Sequence, residues 1–185
     1  FRSGRRYLCI FFFLLLSCAS DLDFEQTGDI VWKPSIDLSV LKSEFKLSDY
    51  PDPTILNSLP ILSESIIINF FDDSFDVKYL KTAEFEFELI NTFDRSISLK
   101  FIFLDNLGNE SLSILLNDIP AGTITNPTVE VRTITLSQTE IEQLILSNHF
   151  YYEIDLNTDT SPFSISSKGH TQIHSKLNLA FEIKD

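Results

Sequence analysis

Three oxygen-bearing side chains at alternate positions, Asp155, Asn157 and Asp159, form a D-x-N-x-D stretch. This pattern opens loops that wrap a hard cation such as calcium, because alternate carboxylate and carboxamide oxygens can converge on one ion. Thr160 stands where such a loop needs glycine for its sharp turn, and Ser166 where a bidentate glutamate would close the shell. Asp155, Asn157 and Asp159 are therefore a calcium candidate set beside a plainer reading, a solvated loop after a strand. Asp72, Asp73 and Asp76 make a second acidic cluster, for which turn residues in water are an adequate account. His170 and His174 have the spacing that puts two imidazoles on one helix face for zinc, but their surroundings do not read as helix. His149 is expected at a helix end, where the macrodipole favours a cation.

The remaining patterns argue against catalysis. A serine hydrolase would show a G-x-S-x-G elbow, and none occurs. The glycines are isolated, so no loop cradles a phosphate. Glu84, Glu86 and Glu88 alternate with apolar residues and describe a solvent face, not paired catalytic acids. Asn109-Glu110-Ser111 fits a glycosylation acceptor but is equally a turn. The expectation is a non-enzyme with no resident cofactor unless calcium occupies the 155–159 loop.

The N-terminus carries a different chemistry. Arg2, Arg5 and Arg6 precede an unbroken apolar run from Tyr7 to Leu16, the charged and apolar regions of a secretory signal. The run is too short to cross a bilayer as a helix, which takes about 20 residues. It ends in Leu15-Leu16-Ser17-Cys18, which resembles the lipobox of bacterial lipoproteins. The resemblance implies cleavage before Cys18 and lipid (palmitate among the acyl chains) on its sulfur; Ala19, directly after the cysteine, looks like an outer-membrane sorting residue, and the acidic residues beyond it resemble surface-export signals, so the expected address is the outer membrane, facing the periplasm or the cell surface. The one other cysteine, Cys9, lies in the segment to be removed, so no disulfide is expected in the mature chain. The sequence starts at Phe1 and contains no methionine, and a longer charged region ahead of it would leave this reading unchanged.

The 185-residue chain has a net charge of −13. Removal of residues 1–17 takes three arginines and no acids, leaving 11 basic against 27 acidic residues, or −16. Such a surface repels nucleic acids and anionic headgroups, so membrane contact is expected through lipid rather than charge. Acyl chains supply about 0.8 kcal/mol per buried CH₂. The expected organisation is a signal peptide (1–17), a lipidated cysteine with an acidic tether (18–29), and one domain (30–185).

Period-two alternation dominates that domain. Ile36, Leu38 and Val40 alternate with polar residues before the apolar phase jumps to Leu41, Phe45 and Leu47, which predicts a bulge or a strand break. Pro51, Pro53 and Pro60 mark a loop. The run 65–71 predicts a buried strand and 72–82 one short helix. Phe85, Phe87 and Leu89 predict a strand that pairs as a hairpin, across a turn at 91–95, with the strand of Ile97, Leu99, Phe101 and Phe103. Gly108-Asn109 predicts a further turn into Leu112, Ile114 and Leu116. A strand over 129–136 follows, with a phase shift near Thr133. Ser137-Gln138-Thr139-Glu140 is a capping box ahead of Ile141, Leu144 and Ile145, predicting a helix over about 138–148. Strands follow through Phe150, Tyr152 and Ile154, then, after a polar loop over 157–169, through Leu177, Leu179, Phe181 and Ile183.

About eight strands and one short helix predict a mainly β fold, an antiparallel β-sandwich. The alternating strands with an Asn-Thr-Phe turn (91–93) and an Ile-Pro-Ala-Gly turn (119–122) resemble the water-stress and late-embryogenesis β-sandwich domains; the resemblance implies a fold and no functional residue. Three functions are expected to compete. One is a non-catalytic envelope module that binds an envelope protein or a glycan. Another is a calcium-dependent or carbohydrate-active module using Asp155–Asp159, and the third a carrier of an apolar ligand, motivated by 17 phenylalanines.

Overall fold

The computed structural model describes residues 31–57, 61–62, 65–68, 71, 77–157 and 162–184. Eleven strands occur among them: β1 (Val31–Trp32), β2 (Ser35–Lys46), β3 (Ile61–Leu62), β4 (Ile66–Ile67), β5 (Leu80–Asn91), β6 (Ile97–Asp105), β7 (Glu110–Ile119), β8 (Thr128–Thr135), β9 (Ser147–Asp155), β10 (His170–Phe181) and β11 (Ile183–Lys184). One helix, α1 (Gln138–Ile145), lies between β8 and β9. None of the described helices is long and apolar enough to cross a membrane. The chain divides into two units. β1 pairs with β11 in the smaller one, which comprises 1–33 and 182–185, and Lys33 meets Glu182 there at 3.7 Å.

Pro34–Phe181 forms an antiparallel β-sandwich. One sheet has the order β2-β10-β5-β8; the other runs β3-β9-β6-β7, with β4 also on β9, beside β3. The alternation in β5 has a direct cause: Phe85, Phe87 and Leu89 face inward and are buried while Glu84, Glu86 and Glu88 face out. Rings from the two sheets meet, Phe87 with Phe101 at 4.7 Å and Phe85 with Phe103 at 5.6 Å. Each such phenylalanine contributes about 1.5–3 kcal/mol by burial.

The phase jump in β2 is a bulge. Ser175 pairs with Leu41 and Lys176 with Ser39, so Val40 is the extra residue in one continuous strand. The β6–β7 turn forms as predicted. Asp105 Oδ1 accepts from the backbone N–H of Leu107 and Asn109, and Gly108 takes φ +82°. The capping box also forms, with Ser137 Oγ accepting from Glu140 N–H and the Glu140 carboxylate accepting from Ser137 N–H. Helix α1 stops at Ile145, before the predicted end.

Several expectations are corrected. β5 and β6 form no hairpin, because β5 pairs with β8 and β10 and β6 with β7 and β9. Residues 92–96 instead carry the chain from one sheet to the other, a step of about 10 Å. Asn91 holds this corner: its buried carboxamide donates to the carbonyls of Arg95 (3.0 Å) and Pro120 (2.8 Å) and accepts from Phe93 N–H (2.9 Å). In the described part of the predicted 72–82 helix, Val77–Tyr79 is a single 3₁₀ turn and β5 begins at Leu80. Among the described residues of the predicted 65–71 strand (65–68 and 71), Ile66–Ile67 is strand, on a sheet edge, where Ile67 is exposed. His149 lies within β9 and not at the helix end; its Nδ1 meets Asn148 Oδ1 at 2.6 Å.

Candidate functional site: a hollow at the loop end

The Asn-Thr-Phe and Ile-Pro-Ala-Gly turns dock on each other. Gly122 N–H donates to Phe93 C=O at 2.7 Å, and a β-carbon on Gly122 would lie 2.1 Å from Asn91 O, so only glycine allows this approach. Thr128 Oγ1 donates to Ala121 C=O, fixing where β8 begins. Thr92 ties the same corner to β10: its N–H and Oγ1 both donate to His170 C=O, and His170 N–H donates back to Oγ1 at 2.7 Å.

Two further loops pack beside this corner. Leu47 N–H donates to Gly169 C=O at 3.0 Å. Asn57 and Phe163 exchange two hydrogen bonds, with Asn57 Nδ2 donating to Phe163 C=O and Phe163 N–H donating to Asn57 Oδ1. The guanidinium of Arg95 lies over the Phe163 ring, 4.1 Å from its centroid, a cation–π contact. Phe45 and Tyr50 support the floor with ring centroids 5.5 Å apart.

Beside them, residues between 46 and 53 and between 165 and 170, with Ile124, border an open hollow of about 370 Å³. Tyr50, Pro51, Pro53, Ile124 and Ile165 supply apolar lining, and Lys46, Lys168 and His170 supply basic groups. Among the described residues that line it there is no carboxylate, in a chain with 27 acidic residues. A second hollow of about 310 Å³ adjoins it, sharing Ile124 and Lys168, and brings in Asp94. Lys46 is held by Glu44 at 2.6 Å, and this bond raises the Lys46 pKa and lowers that of Glu44, so both remain charged. Lys168 is exposed. Chemically, the hollow suits a ligand that presents an anionic group beside an apolar one.

The calcium candidate lies elsewhere. Asp155 ends β9, exposed, and its Oδ1 accepts from Asn157 N–H at 2.9 Å. Asn157 takes the left-handed region at φ +46°, and its Nδ2 donates to Ser96 C=O and Oγ. This carboxamide is thus engaged in anchoring the strand end to the start of β6. Among the described residues no group of three or more His, Cys, Asp or Glu is placed to hold a metal ion. His170 and His174 share the outward face of strand β10, where four residues span about 13 Å. Cys18, Cys9, Asp159, Asp72, Asp73 and Asp76 lie outside the described residues.

Sequence reasoning missed the hollow because its lining comes from loops more than a hundred residues apart. The signals nearest to it were Gly122 and Asn91, both noticed as turn residues and neither as a junction.

No protein-family model and no curated protein matches the sequence. Solved structures similar to this chain include infectious bursal disease virus Gx strain (13% identity, 83% of this chain, 33% of that chain, TM-score 0.43). Others are the VP2 subviral particle of the same virus (8%, 83%, 33%, 0.45) and Desmodium yellow mottle tymovirus (10%, 84%, 90%, 0.25). The chain spans about one third of the length of the first two. Likenesses this distant carry no argument about its work.

Proposed function

We propose that this chain is a lipid-anchored module of the bacterial cell envelope that binds a partner and does not transform it, and that the partner docks at the loop end. The observation that carries the binding reading is the hollow of Lys46, Lys168 and His170 among apolar residues, with no carboxylate among its described lining residues, on a strongly acidic chain. A partner with acidic and apolar side chains side by side, such as an envelope protein segment, matches it better than a glycan, since Tyr50 is the only Phe, Tyr or Trp among its described lining residues. The anchor reading is supported by the order of Arg5-Arg6, the apolar run and Leu15-Leu16-Ser17-Cys18. The phenylalanines that motivated a carrier are spent ring to ring across the core.

Palmitate labelling in a bacterial host, with wild type beside Cys18→Ala, tests the anchor; label that persists in the variant refutes it. Capture from the native membranes tests the hollow. Lys168→Glu and Ile165→Glu are expected to lose a partner that wild type retains, and an unchanged set of captured proteins refutes the site. A melting temperature that rises with calcium in wild type but not in Asp155→Ala would instead favour the calcium module.

A further inference from the structure

β8 forms one edge of its sheet and pairs with β5 alone among the described strands. Its outward face carries Val129 and Val131, 58% and 61% exposed, followed by Thr133 and Thr135, while Glu130 and Arg132 point inward. Glu130 Oε1 accepts from Arg132 Nε at 2.8 Å. Glu130 Oε2 is buried and has no hydrogen-bond partner among the described residues. The other Arg132 nitrogens donate to the carbonyls of Asn117 and Asp118, which leaves guanidinium N–H groups to spare.

The backbone parity of this edge follows from one bond. Leu136 N–H donates to Ala83 C=O at 2.9 Å, in the register that pairs Thr135 with Glu84. Even-numbered residues of β8 therefore exchange both backbone bonds with β5. The N–H and C=O of Val129, Val131 and Thr133 point away to the open edge.

We propose that this edge is the interface of a homodimer, in which β8 of a second copy pairs antiparallel about a two-fold axis at Val131 and the two sheets join into one of eight strands. Val131 then exchanges both backbone bonds with its own counterpart, and Val129 pairs with Thr133. Glu130 falls opposite Arg132 of the partner subunit, and Arg132 opposite the partner subunit's Glu130, in the close, non-hydrogen-bonded positions with Cα atoms about 4.5 Å apart. The unpartnered Oε2 of Glu130 acquires a guanidinium donor, and four charges alternate in sign. Charge selects this register. An axis at Thr133 would set Glu130 against Leu136 and Arg132 against Ile134. An axis at Val129 would require an N–H from Pro127, which has none. A contact of one strand pair is small by the standard of permanent dimers, so association in the micromolar range is expected.

The test uses the full chain carrying Cys9→Ala and Cys18→Ala, in mild detergent. Oxidation of Val131→Cys is expected to give a covalent dimer at least ten times faster than Val129→Cys or Thr133→Cys alone, because residues 129 of the two copies lie about 13 Å apart. Mixing the Val129→Cys and Thr133→Cys chains should restore cross-linking. In sedimentation, Glu130→Arg and Arg132→Glu should each weaken the dimer at least tenfold and the double exchange should recover it. Val131→Pro removes an outward N–H without touching the β5 ladder, and should give a folded monomer. A wild type that sediments as a monomer at hundreds of micromolar overturns the proposal. So does cross-linking of Val129→Cys as fast as Val131→Cys.

Discussion

β5 and β8 are neighbours with the same period and opposite meanings. Along β5 the phenylalanines point in and the glutamates out; along β8 the valines point out and Glu130 and Arg132 point in. The central strand has a sheet partner on either side and a second sheet beneath it, so its apolar face must be core. The edge strand closes the open side of the sandwich, where Arg132 reaches across to the end of β7 at Asn117 and Asp118. Charges aimed inward at an edge are one way in which sheets restrict unwanted pairing, and reciprocal charges permit one chosen partner. Period is thus a local property, while the assignment of faces depends on what lies across the sandwich.

The largest expected effect lies in β5. Phe87→Ala, which removes a ring whose centroid lies 4.7 Å from that of Phe101 at a tilt of 34°, should cost about 3–5 kcal/mol in chemical denaturation. A loss under about 1 kcal/mol would break the contrast with β8. Next is Asn91→Ala at the end of the same strand. It strips partners from Phe93 N–H and two carbonyls in a buried corner and should cost about 3 kcal/mol.

Beyond β8, Ser137→Ala removes the cap of α1 and should cost about 1 kcal/mol. Bonds from the Ser137 hydroxyl, and next its backbone N–H, hold the Glu140 carboxyl below its ordinary pKa. A depressed folded pKa stabilises fully above the ordinary glutamate value and ceases to do so as pH falls through the lowered one. The gap between melting curves of wild type and Ser137→Ala should therefore narrow as pH drops through that window, leaving the part owed to Ser137 Oγ accepting from Glu140 N–H. The smallest effect is at the edge itself: Val131→Thr should change stability by less than about 0.5 kcal/mol despite replacing an apolar residue in an alternating strand. A loss of several kcal/mol there would mean that Val131 is core.

Features set by neighbours in sequence were legible. The capping box needs residues three apart, the 105–109 turn is closed by its own Asp105, and the Val40 bulge shows as a slip in apolar phase within one strand. The corner at 91–96 was misread as a hairpin because a five-residue link satisfies either geometry locally. Its outcome rests on Pro120 and Gly122, about thirty residues onward in the chain. The 65–71 run failed as a buried strand because hydrophobicity does not state whether a second sheet is at hand to cover both faces. For the candidate site, turn residues were visible and the hollow was not. Lys46, Ile124 and Lys168 converge only when three separate loops reach one end of the sandwich.

The amino-acid sequence alone determined that this is a strongly acidic, alternating β chain with one capped helix, because charge, period and capping act within a few residues. Tertiary structure alone decided which strands share a sheet, which face of β8 meets water, and that Lys46, Lys168 and His170 gather with apolar groups around one hollow at the loop end. Those outcomes depend on contacts between distant segments, and the free energy of such contacts comes from burial and pairing that no local pattern records.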